Sequence, residues 1–331
     1  MKIYDFSNCA PSGRRYGGNA GAKTGIIFQD EYWFLKFPKN IRNMDRVQIS
    51  YMTSPLSEYI GSHVYESIGI PVHETLLGEY KGKIVVACRD FCQNPGERLD
   101  EYESIKNDYV EGLEEKISSL SSRSEGKTDI NEVKLVMDSN ELFKQLPELK
   151  ERFWDMFVVD AFIGNNDRNN GNWGVVVDES NGVARPAPVY DNGNSFSNKL
   201  SEAQMERFMS DNTLFKESVY TNRICAFEQD GKKINPLKFI ESRKDDDCNA
   251  ALLRIFPKIN MKEIENMIDD IPLTYKGQTI MGKEQKAFYK KCMGFRYENV
   301  LKPAFDNTLF FGRSKNIRKQ KEHSIDDGID L

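Results

Sequence analysis

Asp167-Arg168-Asn169-Asn170-Gly171-Asn172, followed by Tyr190-Asp191-Asn192-Gly193, is the stretch on which the reading of this chain turns. An Asp, an Asn five residues later and a second Asp 24 residues beyond the first supply one carboxylate to take a proton and two hard oxygen ligands for a divalent cation. That combination suits phosphoryl transfer. Asp, Asn and Gly also make ordinary surface turns, so the context decides. Upstream, Phe153 to Ile163 reads as a helix buried on most sides that ends near Gly164, which puts Asp167 on the loop beyond it. Downstream, Val175 to Val177 and Pro188-Val189-Tyr190 read as short extended segments. A course of loop, short hairpin and loop brings Asp167, Asn172 and Asp191 to one rim. Asp167 then orients the attacking hydroxyl and accepts its proton, while Asn172 and Asp191 ligate magnesium that bridges the phosphates.

Working outward, Lys36 stands alone as a charge in Trp33-Phe34-Leu35-Lys36-Phe37. Strand alternation could point it to solvent; if it is buried, it needs a partner. Glu58, on the helix that follows, is the expected one, with Glu66 two turns further as the alternative. At about 4 Å and an effective dielectric near 20 such a pair attracts by roughly 4 kcal/mol before desolvation. It would position the α- and β-phosphates. Gly17-Gly18-Asn19-Ala20-Gly21-Ala22-Lys23-Thr24 is a Gly-rich loop entering a strand, where Gly18 and Gly21 permit close backbone approach to phosphates and Lys23 adds charge. It is not a Walker A loop, because the Gly-Lys-Ser/Thr spacing is absent and a strand follows. Backbone groups of Val86, Ala87 and Cys88, near the end of Lys83 to Arg89, are candidates to meet an adenine edge, and Asn169 adds a polar contact beside the catalytic loop.

The first ninety residues carry strand-like runs at Thr24 to Phe28, Tyr32 to Phe37, Glu74 to Glu79 and Lys83 to Arg89, with a hairpin turn at Tyr80-Lys81-Gly82-Lys83. Between them, Leu56 to Ile68 has helical periodicity and a stop at Gly69. From about residue 94 the pattern turns helical: Asp100 to Ser118, Asp129 to Lys144, Glu148 to Gly164, Glu202 to Phe208, Pro236 to Ile240, Asn249 to Phe256, Met261 to Ile271 and Lys283 to Leu309. The expected fold is α+β and two-lobed, with a small antiparallel sheet and one helix in residues 1–92 and a mainly helical lobe in 93–312. The Ser-rich run Ser118 to Thr128 reads as an exposed loop, and 313–331 as a disordered charged tail.

Bulk composition sets the outer limits. A chain of 331 residues is long enough for two lobes, and 39% hydrophobic with 29% charged residues fits a globular protein. No run of 18 apolar residues suggests a membrane span. A net charge of −5 gives no reason to expect nucleic acid as partner; only Arg313 to Lys321 is basic. The six cysteines are neither dense nor regularly paired, so a reducing compartment and buried thiols are expected rather than a zinc site. The start, Met1-Lys2-Ile3-Tyr4-Asp5, lacks the basic and apolar regions of a Sec-type signal peptide. A cytoplasmic protein, or one delivered to a host cell by another route, is the expectation.

Several words of the sequence resemble the HipA-like serine/threonine kinases, and especially the smaller CtkA-type proinflammatory kinases. They are Phe34-Leu35-Lys36-Phe37-Pro38, Ser57-Glu58-Tyr59, Glu74-Thr75-Leu76-Leu77-Gly78, Ile84-Val85-Val86-Ala87-Cys88, Phe153-Trp154-Asp155-Met156-Phe157, and Gly164-Asn165 through Gly171-Asn172-Trp173-Gly174. The resemblance covers residues 1–200 well and the helical remainder loosely. It implies a protein-kinase-like fold, ATP and Mg2+, phosphorylation of protein Ser/Thr, autophosphorylation, and the role of a toxin or effector with an antitoxin or host protein as partner. It makes Lys36 the phosphate lysine, Asp167 the base, and Asn172 and Asp191 the metal ligands. Two departures stand out: Asn169 replaces a His common in the family, and Tyr16 falls where HipA toxins carry a phosphorylatable Ser. A phosphoinositide-type lipid kinase shares the form of the loop, and an inactive kinase-fold binding module is the non-enzymatic alternative.

Overall fold

The computed structural model describes residues 1–17, 22–41, 52–107 and 128–310. Gly18, Gly21, nearly all of the Ser-rich run from Ser118 and the tail from Arg313 lie outside the described residues.

Six strands build the first layer: β1 (Tyr4–Asp5), β2 (Ala10–Pro11), β3 (Lys23–Phe28), β4 (Glu31–Lys36), β5 (Thr75–Tyr80) and β6 (Lys83–Arg89). Their order is β1-β5-β6-β4-β3-β2, and every neighbouring pair is antiparallel except the two-residue pairing of β1 with β5. Alternation sorts the side chains by face. Ile26, Trp33, Leu35, Val85 and Ala87 join Phe6 in one apolar cluster. The opposite face carries Phe34 and Lys36, with Lys23 directly across from Lys36 and Val86 on its other side. The β5-β6 hairpin turns at Lys81 and Gly82, both at positive φ, as the expected two-residue turn requires.

Helix α1 (Ser54–Ser67) has Pro55 in its first turn and stops before Gly69 at φ 79°. Leu56, Tyr59, Ile60 and Val64 bury its apolar stripe in the main core, and the helix lies on β5 and β6. That placement turns Glu58 toward Lys36.

Beyond the sheet the chain departs from the expected helix at Asp100 to Ser118. Asp100 and Glu101 instead end β7 (Glu97–Glu101), and only Tyr102–Ile105 (α2) is helical before the description stops at residue 107. The strand forms because it pairs with β9 (Gly174–Asp178), Leu99 opposite Val176, and β9 also pairs with β10 (Val183–Pro186). A two-residue strand, β8 (Thr128–Asp129), precedes a second departure. The expected helix from Asp129 to Lys144 is two helices, α3 (Ile130–Ser139) and α4 (Glu141–Gln145), because Asn140 leaves helical geometry and caps the second through its side chain to Leu142 N at 2.9 Å. Helix α5 (Pro147–Ile163) matches its expectation and ends at Gly164 with φ 72°. Then follow α6 (Glu202–Ser210), α7 (Asn212–Lys216), α8 (Pro236–Ser242), α9 (Asp246–Ile255), α10 (Met261–Asp269) and α11 (Lys283–Arg296), of which α8, α9 and α11 pack against α5. After α11 a π turn, Tyr297–Leu301, leads into a further helix at 302–310. Among the described residues no helix is long and apolar enough to cross a membrane.

Candidate active site

The loop after α5 is built by one buried arginine. Arg168, 2% exposed, places Nε 2.8 Å and Nη2 3.2 Å from the Asp160 carboxylate on α5. Nη1 also donates to Asn172 O at 2.8 Å and to Tyr190 O, and Nη2 to Asn192 Oδ1 at 2.7 Å. Burial opposes the charge, but Asp160 beside it more than compensates and holds the guanidinium protonated. Tyr65 Oη and Asn165 Nδ2 donate to the same Asp160 oxygen at 2.8 and 3.1 Å. Helix, loop and the segment leading to Asp191 are thereby tied at a single fork.

Within that frame the loop closes on itself. Asn172 Nδ2 donates to Asp167 O at 2.6 Å and Asn169 N to the same oxygen at 2.8 Å. Asn172 Oδ1 has no hydrogen-bond donor among the described residues, so it remains available as a ligand. The Asp167 carboxylate is fixed from two sides, by Asn194 Nδ2 at 2.6 Å on Oδ2 and by Asn169 Nδ2 at 3.3 Å on Oδ1. Asn169 Oδ1 also accepts from Gly171 N at 2.9 Å. A neutral amide thus holds both the loop and the Asp. Tyr190 Oη donates to Gly171 O at 3.1 Å and closes the rim.

Lys36 lies across the cavity. Its Nζ is 2.8 Å from Glu58 Oε2 and 2.9 Å from Asp191 Oδ1. Burial works against the ammonium, but Asp191 and Glu58 raise its pKa well above the ordinary lysine value. Glu58 is fully buried; burial opposes its ionisation, yet Lys36 and then His73 hold it well below the usual carboxylate range. Its other oxygen, Oε1, accepts from His73 Nε2 at 2.8 Å and from Asn192 N at 3.0 Å. Glu66, the alternative partner, sits on the far side of α1 near His63 at 3.9 Å. Asp191 has φ 60°, in the left-handed region that Asp enters more readily than most side chains. Gly61 and Gly193 allow the close approach: a Cβ on Gly61 would sit 2.8 Å from Asn192 Cβ, and one on Gly193 3.1 Å from Glu58 Oε2.

Lys36, Glu58, Asp167, Asn169, Asn172, Asp191 and Asn194 line one cavity of about 480 Å³ together with Phe34, Lys23, Lys39, Glu101, Ser54 and Lys199. Burial lowers the Lys23 pKa, and repulsion from Lys36 adds to the effect. Four lysines face four carboxylates here, the donor set for a polyanion carried with a hard cation. Among the described residues Glu58, His73 and Cys88 also come within 4.8 Å of one another. Lys36 already pairs with Glu58, and burial pushes the Cys88 thiol up, so this triad belongs to the lysine's ion-pair network.

Asp167, Asn169, Asn172, Asp191, Lys36, Glu58 and Lys23 therefore meet around one space. The expectation that Val86, Ala87 and Cys88 offer backbone groups to a base is not met: β6 is hydrogen-bonded to β4 on one side and β5 on the other. Arg168, Asn194 and His73 were assigned no role from the sequence. The Asn194 signal was present, since it extends Asp191-Asn192-Gly193 by one polar residue. His73, on a connection far from either motif, left none.

No protein-family model matches the chain. The serine/threonine-protein kinase CtkA of Helicobacter pylori (strain J99) is 35% identical over 274 residues, spanning 82% of this chain and 80% of that protein. The crystal structure of a Helicobacter pylori proinflammatory kinase CtkA matches with a TM-score of 0.80 at 29% identity, covering 94% of this chain and 99% of the other. Shewanella oneidensis MR-1 HipA, solved with HipB and its operator DNA, matches at a TM-score of 0.51 and 14% identity over 90% of this chain and 70% of that one, a likeness of fold alone.

Proposed function

Since the chain belongs to the CtkA-type serine/threonine protein kinases of HipA-like fold, we propose that it is an active, ATP- and Mg2+-dependent enzyme whose machinery is the cavity between Lys36 and Asp167. The observation that carries the proposal is Lys36 held between Glu58 at 2.8 Å and Asp191 at 2.9 Å, facing a loop whose Asp167 carboxylate is fixed by two amides. Lys36 binds the phosphates, Glu58 keeps its ammonium in place, and Lys23 adds charge at the rim. Asp167 orients the acceptor hydroxyl and takes its proton. Asn172 Oδ1 and the Asp191 carboxylate are the hard oxygens that hold the metal, which when bound neutralises phosphate charge. The base meets Phe34, which lines the cavity. Gly18 and Gly21 complete the phosphate cover in this reading. The acceptor is a protein Ser or Thr, and the lobes divide after residue 92, with 93–312 as the second.

The same reading includes autophosphorylation and a toxin or effector role, with an antitoxin or host protein as partner. Incubating the purified chain with labelled ATP and mixed protein and lipid acceptors tests it. Label on protein Ser/Thr supports a protein kinase, label on phosphoinositide points to a lipid kinase, and no transfer with ATP bound points to an inactive binding module.

A further inference from the structure

His73 sits on the connection between α1 and β5, with its side chain fully enclosed. Its ring nitrogen Nε2 reaches Glu58 Oε1 at 2.8 Å. Its backbone N–H donates to Val189 O at 3.0 Å, and Val189 N donates back to Pro71 O at 2.8 Å. Val189 stands two residues before Asp191, so one residue touches both the carboxylate that holds Lys36 and the strand-like segment that delivers Asp191.

The tautomer follows from the charges. Glu58 is ionised, so it accepts, and the hydrogen lies on Nε2. Burial lowers the pKa of His73, which keeps the ring neutral and leaves Nδ1 a lone pair. Nδ1 is enclosed without a hydrogen-bond partner among the described residues. An apolar side chain of similar volume would fill this space without an unmet nitrogen. The imidazole is therefore explained by its Nε2–H donor and not by its packing.

We propose that His73 is the positioning residue of the phosphate lysine, keeping Lys36 on Glu58 and so releasing Asp191 to the metal. Lys36 is shared, at 2.8 Å from Glu58 and 2.9 Å from Asp191. Lys36 occupies only Oδ1 of Asp191, and that oxygen is freed for a cation when another anion retains the ammonium. The two oxygens of Glu58 have separate tasks: Oε2 takes Lys36, while Oε1 is anchored by His73 and Asn192. Without the imidazole donor one anchor remains, the carboxylate turns more easily, and Lys36 settles on Asp191. The incoming metal and nucleotide then compete with an internal ion pair.

The proposal rests on the kinase reading, and the two fail in different samples. His73→Leu removes the donor at similar volume, and His73→Gln supplies an N–H donor again. Calorimetric titration with ATP and Mg2+, kcat and KM for ATP, and the midpoint of thermal unfolding are measured on full-length chains. Loss of a hydrogen bond to a charged group predicts that His73→Leu weakens nucleotide binding and raises KM about ten-fold, with a smaller change in kcat. The Mg2+ concentration for half-maximal activity rises in parallel, the unfolding midpoint stays near wild type, and His73→Gln recovers most of the binding. A His73→Leu chain with wild-type binding and KM overturns the proposal, as does equal loss in both variants that follows a drop in unfolding midpoint. A wild-type chain that binds no ATP overturns the kinase reading itself.

Discussion

At the scale of single residues the site rests on a few charges, with Lys36 held between Glu58 and Asp191 at its centre. Lys36 was legible in the sequence because a lone lysine in an apolar strand needs an anion if it is buried, and a helix four turns long follows it with Glu58 on the facing stripe. His73 and Asn194 were not legible, because their partners come from other loops and no periodicity marks them. Asp167→Asn and Asp191→Asn are each expected to remove phosphotransfer by about 10² or more while the unfolding midpoint holds, since both side chains reach the cavity and neither packs the core. Lys36→Met leaves Glu58 buried without its main countercharge, so it is expected to lose activity and also stability, by about 3 kcal/mol, in urea unfolding. A pH effect follows from His73. Its folded pKa lies below the usual 6.5, so as pH falls below that value the unfolded chain takes the proton first. The part of stability that depends on a neutral His73 is thus present above pH 6.5 and is lost on acidification. Comparing unfolding free energies at pH 7.5 and 5.5 should show a larger drop for wild type than for His73→Leu; equal drops contradict this.

At the scale of elements, local pattern and long-range pairing part company. Helix α5 could be read directly, since its apolar run ends in a glycine. Strand β7 could not, because its five residues become a strand only through β9, whose sequence lies more than seventy residues away. That pairing is close at Gly174, where a Cβ would lie 2.1 Å from Asp100 O and 2.9 Å from Glu101 Cα. Gly174→Ala should therefore push β7 away and destabilise the protein by about 1–3 kcal/mol in chemical denaturation, with nucleotide binding reduced because Glu101 and Asn172 border the same strands. Arg168 makes the complementary case on the other side of the loop. Arg168→Lys keeps the charge but loses the fork that joins α5, the loop and the Asp191 segment, so kcat is expected to fall more steeply than KM for ATP rises. Unchanged kcat in that variant would show that the loop holds its shape without the fork.

At the scale of the whole molecule the two lobes close on the cavity through several independent ties. Glu58 meets Asn192, His73 meets Val189, and Thr53 meets Asn198, so the sheet side and the helical side share a boundary of specific hydrogen bonds. The change from strand-rich to helix-rich sequence near residue 94 carried the two-lobed expectation, and the polar motif on one side with Lys36 on the other carried the site. What sequence could not supply was the set of backbone contacts across that boundary, because they join residues more than a hundred positions apart, such as Glu58 and Asn192 or His73 and Val189. The central claim is that the cavity transfers phosphate from ATP to protein hydroxyls with Asp167 as base. Its most direct test is mass-spectrometric detection of phosphoserine and phosphothreonine after incubation of wild-type and Asp167→Asn chains with Mg2+, ATP and an acceptor protein, with ATP binding measured on both. The account predicts new phosphosites with the wild type and none with Asp167→Asn, while both bind ATP; phosphosites formed equally by both chains would contradict it.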